Sequence, residues 1–200
     1  MIETKFSFAQ LRRHTEYIRA ETTATLRKNS SFIQEAFDTF DAYIKELEGQ
    51  PATLERNVKL MLACKLLNHV YSALILTECG LIVDAILCGR NALEVVAYHW
   101  LVCLDPDALT KYANNNIARP VEVRRRLEKL GADISQIRDI YSGDSKVAHV
   151  GRTSERFHSE WESQSEGVLR FGGALNPEDQ NHMFGYLPAL LHLFLKPIMV

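Results

Sequence analysis

LIVDAILCGRNALEVVAYHWLVCLDP, residues 81–106, is apolar on nearly every side, with few polar interruptions. A helix that is hydrophobic all round packs in the middle of a protein, so this stretch reads as the central helix of an all-α bundle. Its end is marked by Asp105-Pro106. Asp105 suits the cap of a following helix, and Pro106 fits a first helical position, where its missing N–H costs nothing. At the other end, residues 70–89 have about the length that crosses a bilayer. Glu78 and Asp84 oppose that reading, since a central acid is expensive in lipid, and Gly80 suits a helix break. Two buried helices joined at Gly80, with no membrane span, are expected.

The flanking sequence is helical in pattern as well. Residues 6–28 carry a sparse apolar stripe, Asn29, Ser30 and Ser31 interrupt it, and residues 32–47 repeat apolar positions at three- and four-residue spacing. These are expected to be two peripheral helices within residues 1–50. Pro51 opens a loop, and Thr53 starts a helix that runs to Gly80. After Asp105-Pro106-Asp107, Arg119-Pro120 repeats the start signal, and a basic helix closes at Gly131. Asp133 caps a further segment that runs toward His149. Residues 157–173 alternate between turn residues and read as a small β-hairpin. Asn176-Pro177 starts a last helix over 177–195, interrupted or bent at Pro188. Its apolar end, residues 183–200, needs cover, either from the chain's own core or from a partner. The expectation is one domain over 1–200: a bundle of about six to eight helices with its core in 53–150.

Composition sets the outer limits. Of 200 residues, 46% are hydrophobic, and 23 Lys plus Arg face 25 Asp plus Glu for a net charge of −2. A disordered chain, a collagen-like chain and a dedicated nucleic-acid clamp are excluded. Chains of about 150 residues already bury close to 70% of their unfolded surface, so no disulfide or metal is needed for stability. Cys64, Cys79, Cys88 and Cys103 stand apart without metal-ligand spacing, which points to free thiols in a cytoplasmic protein. A di-iron bundle is also excluded: the Glu-x-x-His pair Glu155/His158 stands in a loop, and His69, His99, His182 and His192 are scattered singly. No metal or cofactor is expected.

Two constellations carry polar chemistry. Arg90 and Glu94 lie one turn apart in the most apolar helix, and Tyr98 extends their face. They read either as an ion pair that fixes helix packing or as a polar pocket that receives an anion or a partner carboxylate. Tyr141, Ser145 and His149 share a face if residues 141–149 are helical. A Ser beside a His raises nucleophilic catalysis, yet no oxyanion hole or Gly-flanked nucleophile accompanies it, so a structural hydrogen-bond knot competes with that reading. Arg119, Arg124, Arg125, Arg126, Lys129 and Arg138 form a basic stretch, either an RNA- or anion-facing patch or a solvated helix face diluted by Glu122, Glu128 and Asp139.

The order of RNALE at 90–94, YSGDSKVAH at 141–149 and GVLRFGG at 167–173 resembles a family of uncharacterised bacterial helical domains. That family has an Arg-x-x-x-Glu helix, a later Tyr-x-x-x-Ser-x-x-x-His and a short hairpin before the last helix. The likeness spans residues 60–195. It is similar in layout to the HEPN superfamily, helical domains of toxin-antitoxin and phage-defence systems. That resemblance implies a homodimer and metal-independent RNA cleavage by an Arg-x(4-6)-His motif, a spacing that Arg152 and His158 carry here. The leading expectation is an accessory or defence-type protein that binds a partner or RNA, with Arg90, Glu94, Tyr98, Tyr141, Ser145 and His149 as an interior polar site. A HEPN-like ribonuclease and a structural interaction module are the alternatives, and whether the chain is an enzyme stays open.

Overall fold

The computed structural model describes residues 8–148, 159–161, 167–169 and 177–198. Among these, seven α-helices run in order: α1 (Phe8–Glu48), α2 (Leu54–Glu78), α3 (Ile82–Leu104), α4 (Pro106–Ala113), α5 (Pro120–Lys129), α6 (Ser135–Ala148) and α7 (Pro177–Leu195). A 3₁₀ turn follows at Lys196–Ile198. The architecture is an all-α bundle. Between α6 and α7, β1 (Ser159–Trp161) and β2 (Gly167–Leu169) pair antiparallel, with Glu160 opposite Val168. The remaining residues of the 157–173 excursion lie outside those described.

The local signals explain most helix ends. Thr53 accepts from the Arg56 backbone N–H at the start of α2, and the Arg56 guanidinium reaches back to the Leu47 and Glu48 carbonyls, capping the end of α1. Asp105 accepts from the Asp107 N–H and Pro106 opens α4, as the sequence predicts. Gly80 and Gly131, both with positive φ, end α2 and α5 with paired i→i−5 and i→i−3 hydrogen bonds. Asn115, at φ 56°, ends α4 in the same way. The break at Gly80 divides the expected span of residues 70–89 between two helices. By length and composition, α2 among the described residues suffices to cross a membrane, but Val58, Leu62, Leu66, Val70 and Ala73 turn one face of it into the bundle.

Two boundary expectations are corrected. Residues 8–48 form one continuous helix, not two. Asn29 donates to the Thr25 carbonyl and Ser30 to the Arg27 carbonyl, so the residues read as a break satisfy themselves on the preceding turn of the same helix. The second half of α1 is not peripheral either, because Ala36, Phe40, Tyr43 and Leu47 are core residues. Of the two expectations at Pro188, interruption is overturned: α7 continues through it, and Pro188 is buried along with Leu187, Leu190 and Leu191. That packing outweighs the lost backbone hydrogen bond.

The core joins α1, α2, α3 and α7 around Phe40, Phe184, Leu187 and Phe194. Each such side chain contributes about 1.5–3 kcal/mol on burial. Thus the described apolar residues between 183 and 195 are largely covered by the chain itself. Gly89 permits a close approach of α3 and α7: a Cβ there would stand 3.1 Å from the Tyr186 ring. Trp100 donates from Nε1 to the Leu193 carbonyl at 2.9 Å and fixes the register of the same pair. A buried polar knot ties α1 to α2 and α7, with Gln180 Nε2 donating to Thr22 Oγ1 at 2.8 Å and to the Thr77 carbonyl at 3.3 Å. α5 and α6 lie on the other side of α3, chiefly against it.

Candidate functional site

The position of α5 and α6 leaves a cavity of about 480 Å³ between them, α2, α3 and the connection from α4 to α5. Small-molecule sites typically measure about 300–1,000 Å³ and carry a few polar groups on apolar walls. Here Leu62, Leu93, Ala97, Ile117, Val123 and Ile137 supply the apolar lining, while Lys65, His69, Asn91, Glu94 and Arg124 supply the polar groups. Tyr98, Tyr112 and Tyr141 add three aromatic rings, Tyr98 and Tyr112 tilted at 52° with centroids 5.2 Å apart.

Arg90 and Glu94 do meet, at a loose 3.9 Å, and both are half-buried. Arg90 Nη2 also donates to Tyr141 Oη at 2.5 Å and lies 4.6 Å from the ring centroid. α3 and α6 therefore converge, and four of the expected polar-site residues, Arg90, Glu94, Tyr98 and Tyr141, stand at one place. Ser145 belongs to α6, which runs unbroken across Gly143. Its side chain lies outside the described residues, as do His149, Arg152 and His158.

The expected RNA or anion patch is corrected in part. Arg126 pairs with Asp105 and lies 3.6 Å from Asp107, Arg119 is 3.8 Å from Glu122, and Arg138 pairs with Glu128. Arg126 is held by the acidic start of α4, whereas Arg119 and Arg138 pair with Glu122 and Glu128 of α5. Arg124 departs differently: it lies 3.9 Å over the Tyr141 ring and lines the cavity. Arg125 and Lys129 stay exposed on the helix surface.

Sequence reading missed Lys65, His69 and Tyr112. Lys65 Nζ donates to Tyr112 Oη at 2.9 Å and lies 5.3 Å from that ring's centroid. His69 stands one turn further along α2. Burial and the Lys65 ammonium push its pKa below the usual histidine value, against a smaller opposing effect of Glu94. At neutral pH its imidazole is therefore uncharged, able to donate and accept hydrogen bonds. A usable signal was present: Lys65 and His69 stand four residues apart, on one face of α2 beside the apolar stripe of Leu62 and Leu66. Burial likewise raises the Tyr98 hydroxyl, which stays protonated.

A second polar group lies deep in the core, away from the cavity. His99 is fully buried, stacked on Phe194 with centroids 3.6 Å apart, and its Nε2 is 3.3 Å from the Tyr43 hydroxyl and 3.6 Å from Cys103 Sγ. Burial, helped by the Lys59 ammonium, lowers the His99 pKa to about 3, and burial raises the Tyr43 hydroxyl and the Cys103 thiol. All three groups are held neutral. A thiol so raised is a poor nucleophile, so this cluster reads as packing. Among the described residues, no group of three or more His, Cys, Asp or Glu is placed to hold a metal ion.

Compared with family models, curated proteins and solved structures, the chain matches none.

Proposed function

We propose that this chain is a helical binding protein that takes a small organic molecule into the cavity bounded by α2, α3, α5 and α6. One observation carries the reading: Glu94, Tyr98 and Tyr141, drawn from two helices far apart in sequence, line one cavity of about 480 Å³ whose walls are largely apolar, and Arg90 links Glu94 to Tyr141 beside it. Buried polar groups that merely fix packing are normally sealed by their partners, whereas these border open volume. The sequence resemblance supports an accessory or defence-type role in the cytoplasm, as a pair of like subunits, with the β1/β2 pairing belonging to a small hairpin before the last helix. RNA ranks behind a small molecule as the bound species, because most of the basic side chains around α5 are engaged with acids or with Tyr141.

Ligand-observed NMR with a fragment library tests this directly. Fragments should bind the wild type one to one and lose at least tenfold in affinity in Ala97→Phe, which fills the cavity from its α3 wall. Ile117→Trp, at a half-exposed position on the rim, serves if Ala97→Phe does not fold. The reading is sunk if no fragment binds while a single-stranded RNA does, and if that RNA is released by Arg125→Glu with Lys129→Glu.

A further inference from the structure

The charges around the cavity are unbalanced, in a chain whose net charge is −2. Lys65 and Arg124 bring two cations to the lining against the single carboxylate of Glu94, and that carboxylate already faces Arg90, beside the cavity, at 3.9 Å. Among the described residues, Lys65 and Arg124 have no carboxylate at ion-pairing distance. Their contacts are with tyrosines instead. Resting on the small-molecule reading above, we propose that the ligand is a small organic anion with a planar apolar body. Its acid group is received by Lys65 and Arg124, and its ring by the walls formed by Tyr98, Tyr112 and Val123.

The donor chemistry fits. A guanidinium stacks by its face and donates through its edge, so Arg124 can remain over Tyr141 while its N–H fork meets an oxyanion. Lys65 has three N–H donors and uses one on the Tyr112 hydroxyl, which leaves two for a ligand. His69 and Asn91 are neutral polar groups on the same lining and can complete the hydrogen bonding without opposing the charge. A neutral ligand of the same shape would leave two cations partly desolvated and unpaired, and a cationic one would be repelled.

The test uses two fluorescent probes of nearly the same aromatic frame, 8-anilinonaphthalene-1-sulfonate and its uncharged counterpart N-phenyl-1-naphthylamine. Both are titrated into the full chain at pH 7. The sulfonate should bind at least tenfold more tightly. Arg124→Gln and Lys65→Gln should each weaken the sulfonate about tenfold to a hundredfold, the usual range for one charge-assisted hydrogen bond, and leave the neutral probe unmoved. Arg125→Gln, exposed on the same helix outside the cavity, should move neither. Equal affinity for the two probes, or an equal loss in Arg125→Gln, would overturn the anion proposal while the cavity reading stands. Failure of both probes to saturate, or undiminished binding of both by Ala97→Phe, would remove the cavity reading itself.

Discussion

Acidification from pH 7 to pH 4 is expected to strip about 3 kcal/mol of stability from this protein through His99 alone, rising to about 4 kcal/mol by pH 3. The ring titrates at about 3 in the folded chain and near 6.5 once exposed. Unfolding therefore takes up a proton throughout that window. The stabilisation is complete above about pH 7, is lost progressively as the pH falls through 6.5 toward 3, and levels off about one unit below that. The cause is geometric: the ring is stacked on Phe194 and faces the Tyr43 hydroxyl, with no carboxylate near enough to compensate a charge. A domain of this kind has about 5–15 kcal/mol in total, so the loss is decisive for acid resistance. Urea unfolding at pH 7, 5.5 and 4 should show it. In His99→Gln, which can still accept from Tyr43 but cannot titrate, the extra loss should disappear even if the variant is weaker at neutral pH. Parallel losses in the two proteins would rule the mechanism out.

Asp105→Ala should lower stability by about 2–3 kcal/mol, or very roughly 5–10 °C in Tm for a chain of this length. Asp105 serves two structures at once. It caps α4 through the Asp107 N–H at 3.0 Å, a role worth about 1 kcal/mol, and its buried carboxylate pairs with Arg126 of α5. Removing it leaves Arg126 one-third exposed and short of its inner partner, at a cost below the 3–5 kcal/mol of a fully buried pair. Asp105→Asn, a competent cap without the charge, should recover roughly 1 kcal/mol of the loss. Because Arg126 anchors the helix that carries Arg124, Asp105→Ala should also weaken sulfonate binding. A Tm within a degree of wild type for both variants would show that this junction contributes nothing.

The helix ends were legible because their chemistry is local: Thr53, Gly80, Asp105-Pro106 and Gly131 each act within one turn of their own position. The continuity of α1 was not legible, since Asn29 and Ser30 can either end a helix or bond back to it, and packing of Ala36 and Phe40 against α7 decides the matter. The site divides in the same way. Arg90 with Glu94 was readable as an i,i+4 pair, but the partner of Lys65 lies 47 residues away and that of Arg90 on Tyr141 lies 51 residues away. Arg124 reads from sequence as one more basic residue on a basic helix. Only the placement of α6 beside α5 turns it toward Tyr141 and separates it from Arg125.

α5 and α6 share the common core through Val123, Leu127 and Ile137 but rest chiefly on α3, whereas α1, α2, α3 and α7 each pack against more than one neighbour. The two groups of helices therefore differ in the free energy needed to detach them. With fewer neighbours to hold them, α5 and α6 are expected to open before α3 and α7, and their amides should exchange with solvent faster. A ligand bound in the cavity would hold α5 and α6 against α3, and that exchange should slow by the free energy of its binding.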